Sequence, residues 1–252
     1  VKKAGDINCL STRDCSREEK LRFNKTLTRF LDSSRLTGID AMVYRLLTAT
    51  THHFETTDDG SAKYWKLNEE SEVLFDSLSS EEQFSMLRLC AEYGRSDIEW
   101  VIEKLSHSKD DDMKKEIYES FKLAVSHGHV KVLKYLYKKF GLTRDDARAE
   151  DNFALRWAAA HGHLEVLKWL KTTFGLTEED ARAADNFALR WAAIKGHLEV
   201  LKWLKTTFDL TPYDARADYN HALRGAAING HLEVLKWLVK TFDLTAADAS
   251  VR

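Results

Sequence analysis

The sequence predicts an all-α protein, a helical solenoid with an N-terminal helical cap or small helical domain. Three observations carry this prediction. The chain has 252 residues but one proline, Pro212, beside eleven glycines, so helix breakers are scarce. Gly128, Gly162, Gly196 and Gly230 recur at one constant interval in matching contexts: HGHVKVLKYL, HGHLEVLKWL, KGHLEVLKWL and NGHLEVLKWL. Around each glycine, apolar residues fall at helical spacing. A fixed period of this kind marks a stacked-repeat architecture.

Taken in chain order, residues 17–36 and 39–50 read as two helices, with Gly38 between them like a repeat turn. Residues 51–66 are polar and aromatic with no clear period, and 68–78 read as a further short helix. Residues 1–80 thus form an N-terminal helical segment, either a cap or a small domain. A degenerate repeat follows over 81–118. Gly94 precedes Gly128 by the same interval, Cys90 and Ala91 stand just before it, and Ile98, Val101 and Ile102 supply an apolar stripe. Ser80-x-x-Gln83 has the form of a helix-starting capping box. The Asp110–Asp112 run then opens a longer helix that leads into Gly128.

The clear repeats occupy 119–252. Residues 151–184 and 185–218 differ only at Ala160/Ile194, His161/Lys195, Gly175/Asp209, Glu178/Pro212, Glu179/Tyr213 and Ala184/Asp218, leaving 28 identical positions. Each unit reads as two short amphipathic helices. In the first, Leu155, Ala158 and Ala159 share a face, and Asp151 and Asn152 stand where a cap is expected. In the second, Leu164, Leu167 and Leu170 form a stripe that Val166 and Trp169 broaden. Glu165 in the first turn and Lys168 and Lys171 after it suit the helix dipole. One unit cannot bury this surface alone, so neighbours must cover it.

A unit reading L-x-x-A-A-x-x-G-H-L-E-V-L-x-x-L, carried by Leu155, Ala158, Ala159, Gly162, His163, Leu164, Glu165 and Val166, resembles the ankyrin repeat. Its wording is closer to the divergent repeats common in protists and large DNA viruses. The resemblance implies an ankyrin-like helical solenoid that binds a protein partner through its concave face and the projecting fingers between repeats. Two departures stand out. Phe153-Ala154-Leu155-Arg156 replaces the usual T-P-L-H. After each second helix comes Leu-Thr-x-x-Asp-Ala, at Thr143–Asp146, Thr177–Asp180, Thr211–Asp214 and Thr245–Asp248. That pattern marks a helix start, and Pro212 sits at the first helical position, where proline is tolerated. A short helical turn is therefore expected in each connection, in place of part of a β-hairpin finger.

Composition narrows the function. With 44% hydrophobic and 31% charged residues the chain can build a core, and it is neither low-complexity nor collagenous. No apolar run reaches the ~18 residues of a membrane span. No secretory signal shows in VKKAGDINCL, and the Val1 start reads as a processed or trimmed form, cytoplasmic or, if processed, organellar. The net charge of −2 is unevenly spread: +4 over 1–36, −10 over 55–119 and +4 over 120–252. No basic block with interleaved aromatics suggests nucleic acid. Cys9, Cys15 and Cys90 read as reduced cysteines, with a Cys9–Cys15 bridge as the alternative in an oxidising compartment.

No GxSxG, P-loop, HExxH or paired CxxC motif is present, so no catalytic residue, metal or cofactor is assigned. His127 and His161 recur beside the turn histidines His129 and His163, but His161 becomes Lys195 and Asn229; structural turn histidines are expected. Trp169, Trp203 and Trp237, with Tyr135 before them, read as a packing seam. Lys122, Arg156, Arg190 and Arg224 are expected to pair with Asp151, Asp185 or neighbouring acids. The partner-binding candidates are the positions that vary between near-identical copies. They are Ala160, His161, Ile194, Lys195, Ile228 and Asn229 at the ends of first helices, and Glu178, Glu179, Pro212 and Tyr213 in the connections. The sequence stops at Arg252, where another repeat would begin, and Val239 replaces Lys171 and Lys205. An uncapped C-terminal repeat that docks on a larger complex is one expectation, a truncated array the other. The functional expectation is a non-enzymatic adapter or scaffold, with a structural or linker subunit of a large assembly as the alternative.

Overall fold

The computed structural model describes residues 55–56, 62–63, 75–76, 78–94, 98–105 and 110–249. The helices expected at 17–36 and 39–50, and Cys9 and Cys15, lie outside them. The chain divides into two compact units, 1–83 and 84–252.

In the first unit, β1 (Glu55–Thr56) pairs antiparallel with β2 (Ala62–Lys63), with Glu55 opposite Lys63 and Thr56 opposite Ala62. Within the expected 68–78 helix, Phe75 and Asp76 are helical. Helix α1 (Ser80–Glu92) begins one residue earlier in its capping frame than expected. Ser79 and Glu82 form the box, with the Ser79 N–H donating to Glu82 Oε2 at 2.8 Å and its hydroxyl at 2.7 Å. The physical reason is charge. A carboxylate accepts better than the Gln83 amide, and Gln83 Nε2 instead donates to the Phe75 carbonyl at 3.0 Å.

The second unit is all-α, an ankyrin-type solenoid. After α1 come α2 (Ile98–Leu105), α3 (Asp110–Ser126) and α4 (Val130–Phe140). Then follow α5 (Arg144–Ala160), α6 (Leu164–Phe174), α7 (Glu178–Ile194) and α8 (Leu198–Phe208). The array closes with α9 (Pro212–Ala215), α10 (Ala217–Ile228), α11 (Leu232–Phe242) and α12 (Ala246–Ala249). First helices pack on first helices, α5 on α7 and α7 on α10, while second helices touch their neighbours more lightly. The alanines explain the difference. Ala158, Ala159, Ala192 and Ala193 are fully buried and let the first helices approach closely. Leu167, Leu170, Leu201 and Leu204, all buried, fill the wider gap behind them. Each such leucine removed from water contributes about 1.5–3 kcal/mol.

The glycine–histidine turns lock one repeat to the next. Gly128, Gly162 and Gly196 have φ near +80°, which glycine alone adopts without strain. Each also lies under the histidine of the following repeat: a Cβ on Gly162 would come within 2.7 Å of the His197 ring. That imidazole reaches back through Nε2 to a carbonyl of the preceding repeat, His163 to Ser126 at 2.8 Å and His197 to Ala160 at 3.1 Å. Burial lowers the pKa of His129, His163 and His197, although the carbonyl contact works the other way. These are structural histidines, as the loss of His161 between copies implies.

Candidate partner-binding surface

Every connection carries the expected helical turn. Thr143, Thr177 and Thr211 are extended N-cap residues, each paired with an aspartate three positions on in a reciprocal capping box. The Thr211 N–H donates to Asp214 Oδ2 at 2.7 Å and its hydroxyl at 2.8 Å, with Pro212 at the start of α9. Asp180, Asp214 and, in the last finger, Asp248 also receive an arginine from the finger before. Arg148 Nη2 donates to Asp180 at 2.8 Å; Arg182 grips Asp214 with two bonds, 2.8 and 3.2 Å; Arg216 grips Asp248 at 2.7 and 3.3 Å. Burial would raise the pKa of Asp180 and Asp214, but the arginine and threonine donors outweigh it and hold both below the usual carboxylate range. One carboxylate therefore both caps its own helix and ties two fingers together.

Beyond each helical turn the chain reverses through three consecutive left-handed residues: Glu150-Asp151-Asn152, Ala184-Asp185-Asn186 and Asp218-Tyr219-Asn220. This corrects the capping role expected for Asp151 and Asn152. They form the turn itself, and the Oδ1 atoms of Asn152, Asn186 and Asn220 are buried with no hydrogen-bond partner. Aspartate and asparagine tolerate this backbone; Tyr219, at φ +55°, does not do so readily and is 68% exposed.

Of the first-helix cations, Arg156 and Arg190 steady these turns through carbonyls, and the acids that pair with Lys122 and Arg190 are neighbours of the turn rather than the Asp151 or Asp185 side chains. Arg156 Nη2 donates to the Glu150 carbonyl at 2.8 Å, and Arg190 donates to the Asp185 and Ala184 carbonyls at 2.8 and 3.1 Å. Arg190 also pairs with Asp218 of the next turn, and Lys122 with Glu119 and Glu150.

Of the varying positions, His161, Glu178, Glu179, Lys195, Pro212, Tyr213, Ile228 and Asn229 are exposed, Tyr213 and Ile228 each at 84%. Ala160 and Ile194 are corrections. Ala160 is buried, at 6% exposure, and Ile194 is half-buried because its side chain fills the space above Gly225 in the next repeat. A Cβ on Gly225 would clash with Ile194 Cγ1. Ala160 thus offers little surface to a partner, and Ile194 is committed in part to the next repeat.

The row expected from Trp169, Trp203 and Trp237 is present as tryptophan–phenylalanine pairs, each ring standing edge-on to Phe174, Phe208 or Phe242 of its own repeat at about 5.5 Å. The residue that joins it before Trp169 is Tyr137, not Tyr135. Burial pushes the Tyr135 phenol up to about 12. A second aromatic row goes beyond the sequence expectation: Phe153, Trp157, Phe187 and Trp191 stack in succession along the first helices, with centroids 5.0–5.5 Å apart. All four are half-buried, with Arg156 over Phe187 and Lys195 over Trp191. Phe153 and Trp157 sit one helical turn apart in one copy and recur at the same places in the next, as Phe187 and Trp191. That is the signal that finds them.

Among the described residues no group of three or more histidines, cysteines, aspartates or glutamates is placed to hold a metal, and no helix is long and apolar enough to cross a membrane. Cys90 is buried and not disulfide-bonded.

Two family models match, ankyrin repeats (many copies) over residues 120–170 and ankyrin repeats (3 copies) over residues 155–248. No curated protein matches the chain. Among solved structures it is similar to a chain in the crystal structure of the yeast ribosomal protein Rps3 in complex with its chaperone Yar1. The identity is 26% and the TM-score 0.44, over 52% of this chain and 95% of that one.

Proposed function

The chain belongs to the ankyrin repeat family, and from that premise we propose that it is a non-enzymatic adapter or scaffold, holding a protein partner against the fingers and the exposed ends of its first helices. The observation that carries the reading is the division of labour between copies. Positions identical between 151–184 and 185–218 supply the buried core, the turns and the Arg–Asp links. Most positions that vary stand in solvent, and the third finger places Pro212 and Tyr213 where the second has Glu178 and Glu179. An exposed tyrosine offers large, stiff contact area at small entropic cost, which is how interaction surfaces use it. The half-exposed row of Phe153, Trp157, Phe187 and Trp191 adds apolar area on the first helices.

The test begins with affinity purification of the chain from its native source and identification of co-eluting proteins. Binding of the purified partner is then measured with Tyr213→Ala, Lys195→Glu and Trp191→Ala. Loss of about tenfold or more in affinity at Tyr213 or Lys195, with unfolding unchanged, supports this surface. Unchanged affinity for all three removes it.

A further inference from the structure

The first helices carry a cation at one repeat position, and in two copies the turn that follows supplies it with a carboxylate. Lys122 pairs with Glu150 at 2.9 Å, and Arg190 pairs with Asp218. The corresponding turn residue after Arg156 is Ala184, one of the few positions at which the near-identical copies differ. The consequence shows at the guanidinium. All three nitrogens of Arg190 are hydrogen-bonded, Nε and Nη2 to the carbonyls of Asp185 and Ala184 and Nη1 to Asp218. Among the described residues Arg156 bonds through Nη2 alone, to the Glu150 carbonyl, and no carboxylate reaches it. Its Nε is buried with no partner.

This cation stands in the aromatic row of the first helices. Arg156 Cζ lies 4.8 Å from the Phe187 ring centre and 5.8 Å from that of Trp157. The row is confined to these two copies. Phe153 and Phe187 give way to Glu119 before them and His221 after, Trp157 and Trp191 to Leu123 and Gly225. Lys195, exposed over Trp191, is ion-paired with none of the described residues either. Half-buried aromatic area and positive charge without a counter-ion thus coincide where Ala184 replaces an acid.

We propose that Arg156 anchors a carboxylate of the partner, carried on a peptide segment with an aspartate or glutamate next to apolar or aromatic residues. The acid takes the place beside the guanidinium that Asp218 takes beside Arg190, and its apolar neighbours cover Phe187 and Trp191. Three features select this occupant. The group that fills the place in the adjacent copies is a carboxylate, in Glu150 and Asp218 alike. Glu150, Asp218 and Ala184 are all exposed, so the place opens to solvent. A free anion gains nothing from the rings, whereas a peptide buries them, and a guanidinium stacked on an aromatic face keeps its fork of donors ready for a carboxylate. The proposal rests on the adapter reading and names the chemistry its partner carries.

The experiment selects phage-displayed random dodecapeptides on the full chain and compares the parent with Ala184→Asp and Ala184→Asn. Ala184→Asp supplies from within the chain the carboxylate that Arg190 already has, on a backbone that Asp218 adopts at φ +51°. Ala184→Asn makes a similar change of shape without the charge. Peptides selected on the parent are expected to be enriched in aspartate or glutamate beside apolar residues. A selected peptide is then remade with its acid replaced by the amide, and fluorescence anisotropy gives both affinities. The expected loss is about tenfold or more on the parent and on Ala184→Asn, and less than about twofold on Ala184→Asp. Equal losses on all three chains, or no acidic enrichment, overturn the proposal. So does an oligothymidylate whose binding falls with Ala184→Asp when that of the peptides does not, because the anion is then a nucleic-acid phosphate. The adapter reading fails separately, through the Tyr213, Lys195 and Trp191 variants of the native-partner assay. Native-partner binding that depends on Tyr213 and is indifferent to Ala184→Asp removes the carboxylate anchor and leaves the adapter standing.

Discussion

The repeat built from α7 and α8 and the one built from α10 and α11 share one turn sequence, Gly-His-Leu-Glu-Val-Leu-Lys-Trp-Leu, yet play different parts. In the former, Gly196 lies under His231, Ile194 fills the space above Gly225, and Asp180 and Asp214 on either side are gripped by arginines. In the latter, Gly230 is uncovered and Ile228 stands in solvent. The residues are nearly the same and the surroundings are not. Whether a position in a solenoid belongs to the core or to the surface is decided by the next repeat, not by its own.

Paired substitutions break or sharpen this contrast. The largest effect is expected at the turns. Gly196→Ala sets a methyl group against the His231 ring on a left-handed backbone, and about 3 kcal/mol of stability is lost. Gly230→Ala carries only the backbone cost, about 1 kcal/mol. Urea unfolding of the two variants measures the difference, and equal losses would show that the histidine cover contributes nothing. Next come the linking carboxylates. Asp214→Ala removes a cap and the inter-repeat bonds of the Arg182 guanidinium, which keeps only Glu178 of its own finger, for about 2 kcal/mol. Asp248→Ala, at the more exposed end of the same row, gives a clearly smaller loss by the same assay, because water replaces its bonds.

Smaller again is the isoleucine pair. Ile194→Ser empties the space over Gly225 and costs about 1 kcal/mol, while Ile228→Ser stays within about 0.5 kcal/mol of the parent. The smallest and broadest effect is on pH. His129, His163 and His197 have pKa values below the ordinary 6.5 in the folded chain, so the unfolded chain binds their protons more readily. Their contribution is complete above 6.5 and declines as the pH falls through 6.5 towards the folded values. Melting temperature should therefore drop by a few degrees between about pH 7.5 and pH 5.5, well before the linking aspartates titrate, and His163→Gln should flatten the drop. A flat profile in the parent chain would mean the rings are not buried as neutral bases.

Much of this is legible in the residues themselves. The even spacing of the glycines gives the unit, Thr-x-x-Asp gives the helical finger, and Pro212 fits its first position because a helix start has no use for that N–H. What escapes the sequence is anything fixed by two repeats at once. Arg182 and Asp214 are 32 residues apart, and nothing in a single unit says that the capping carboxylate has a second employer. Ile194 and Ala160 vary like surface positions, yet Ala160 is buried and Ile194 packs over Gly225 of the next repeat, a contact that no single unit reveals. The left-handed turn at Asp151-Asn152 hides for another reason. Both residue types favour caps and left-handed backbone alike, so their identity does not choose between the two.

The Arg–Asp link has a consequence for how such a chain lengthens. A central unit presents a finger arginine towards its successor and a capping aspartate towards its predecessor, as Arg182 and Asp180 do in a single finger. A tandem duplication of one whole unit therefore arrives with both halves of the fastening already in place and mates with its parent on either side. No new interface has to be invented for the array to grow or shrink by whole units. The 28 identities between residues 151–184 and 185–218 are what such a copying event would leave behind.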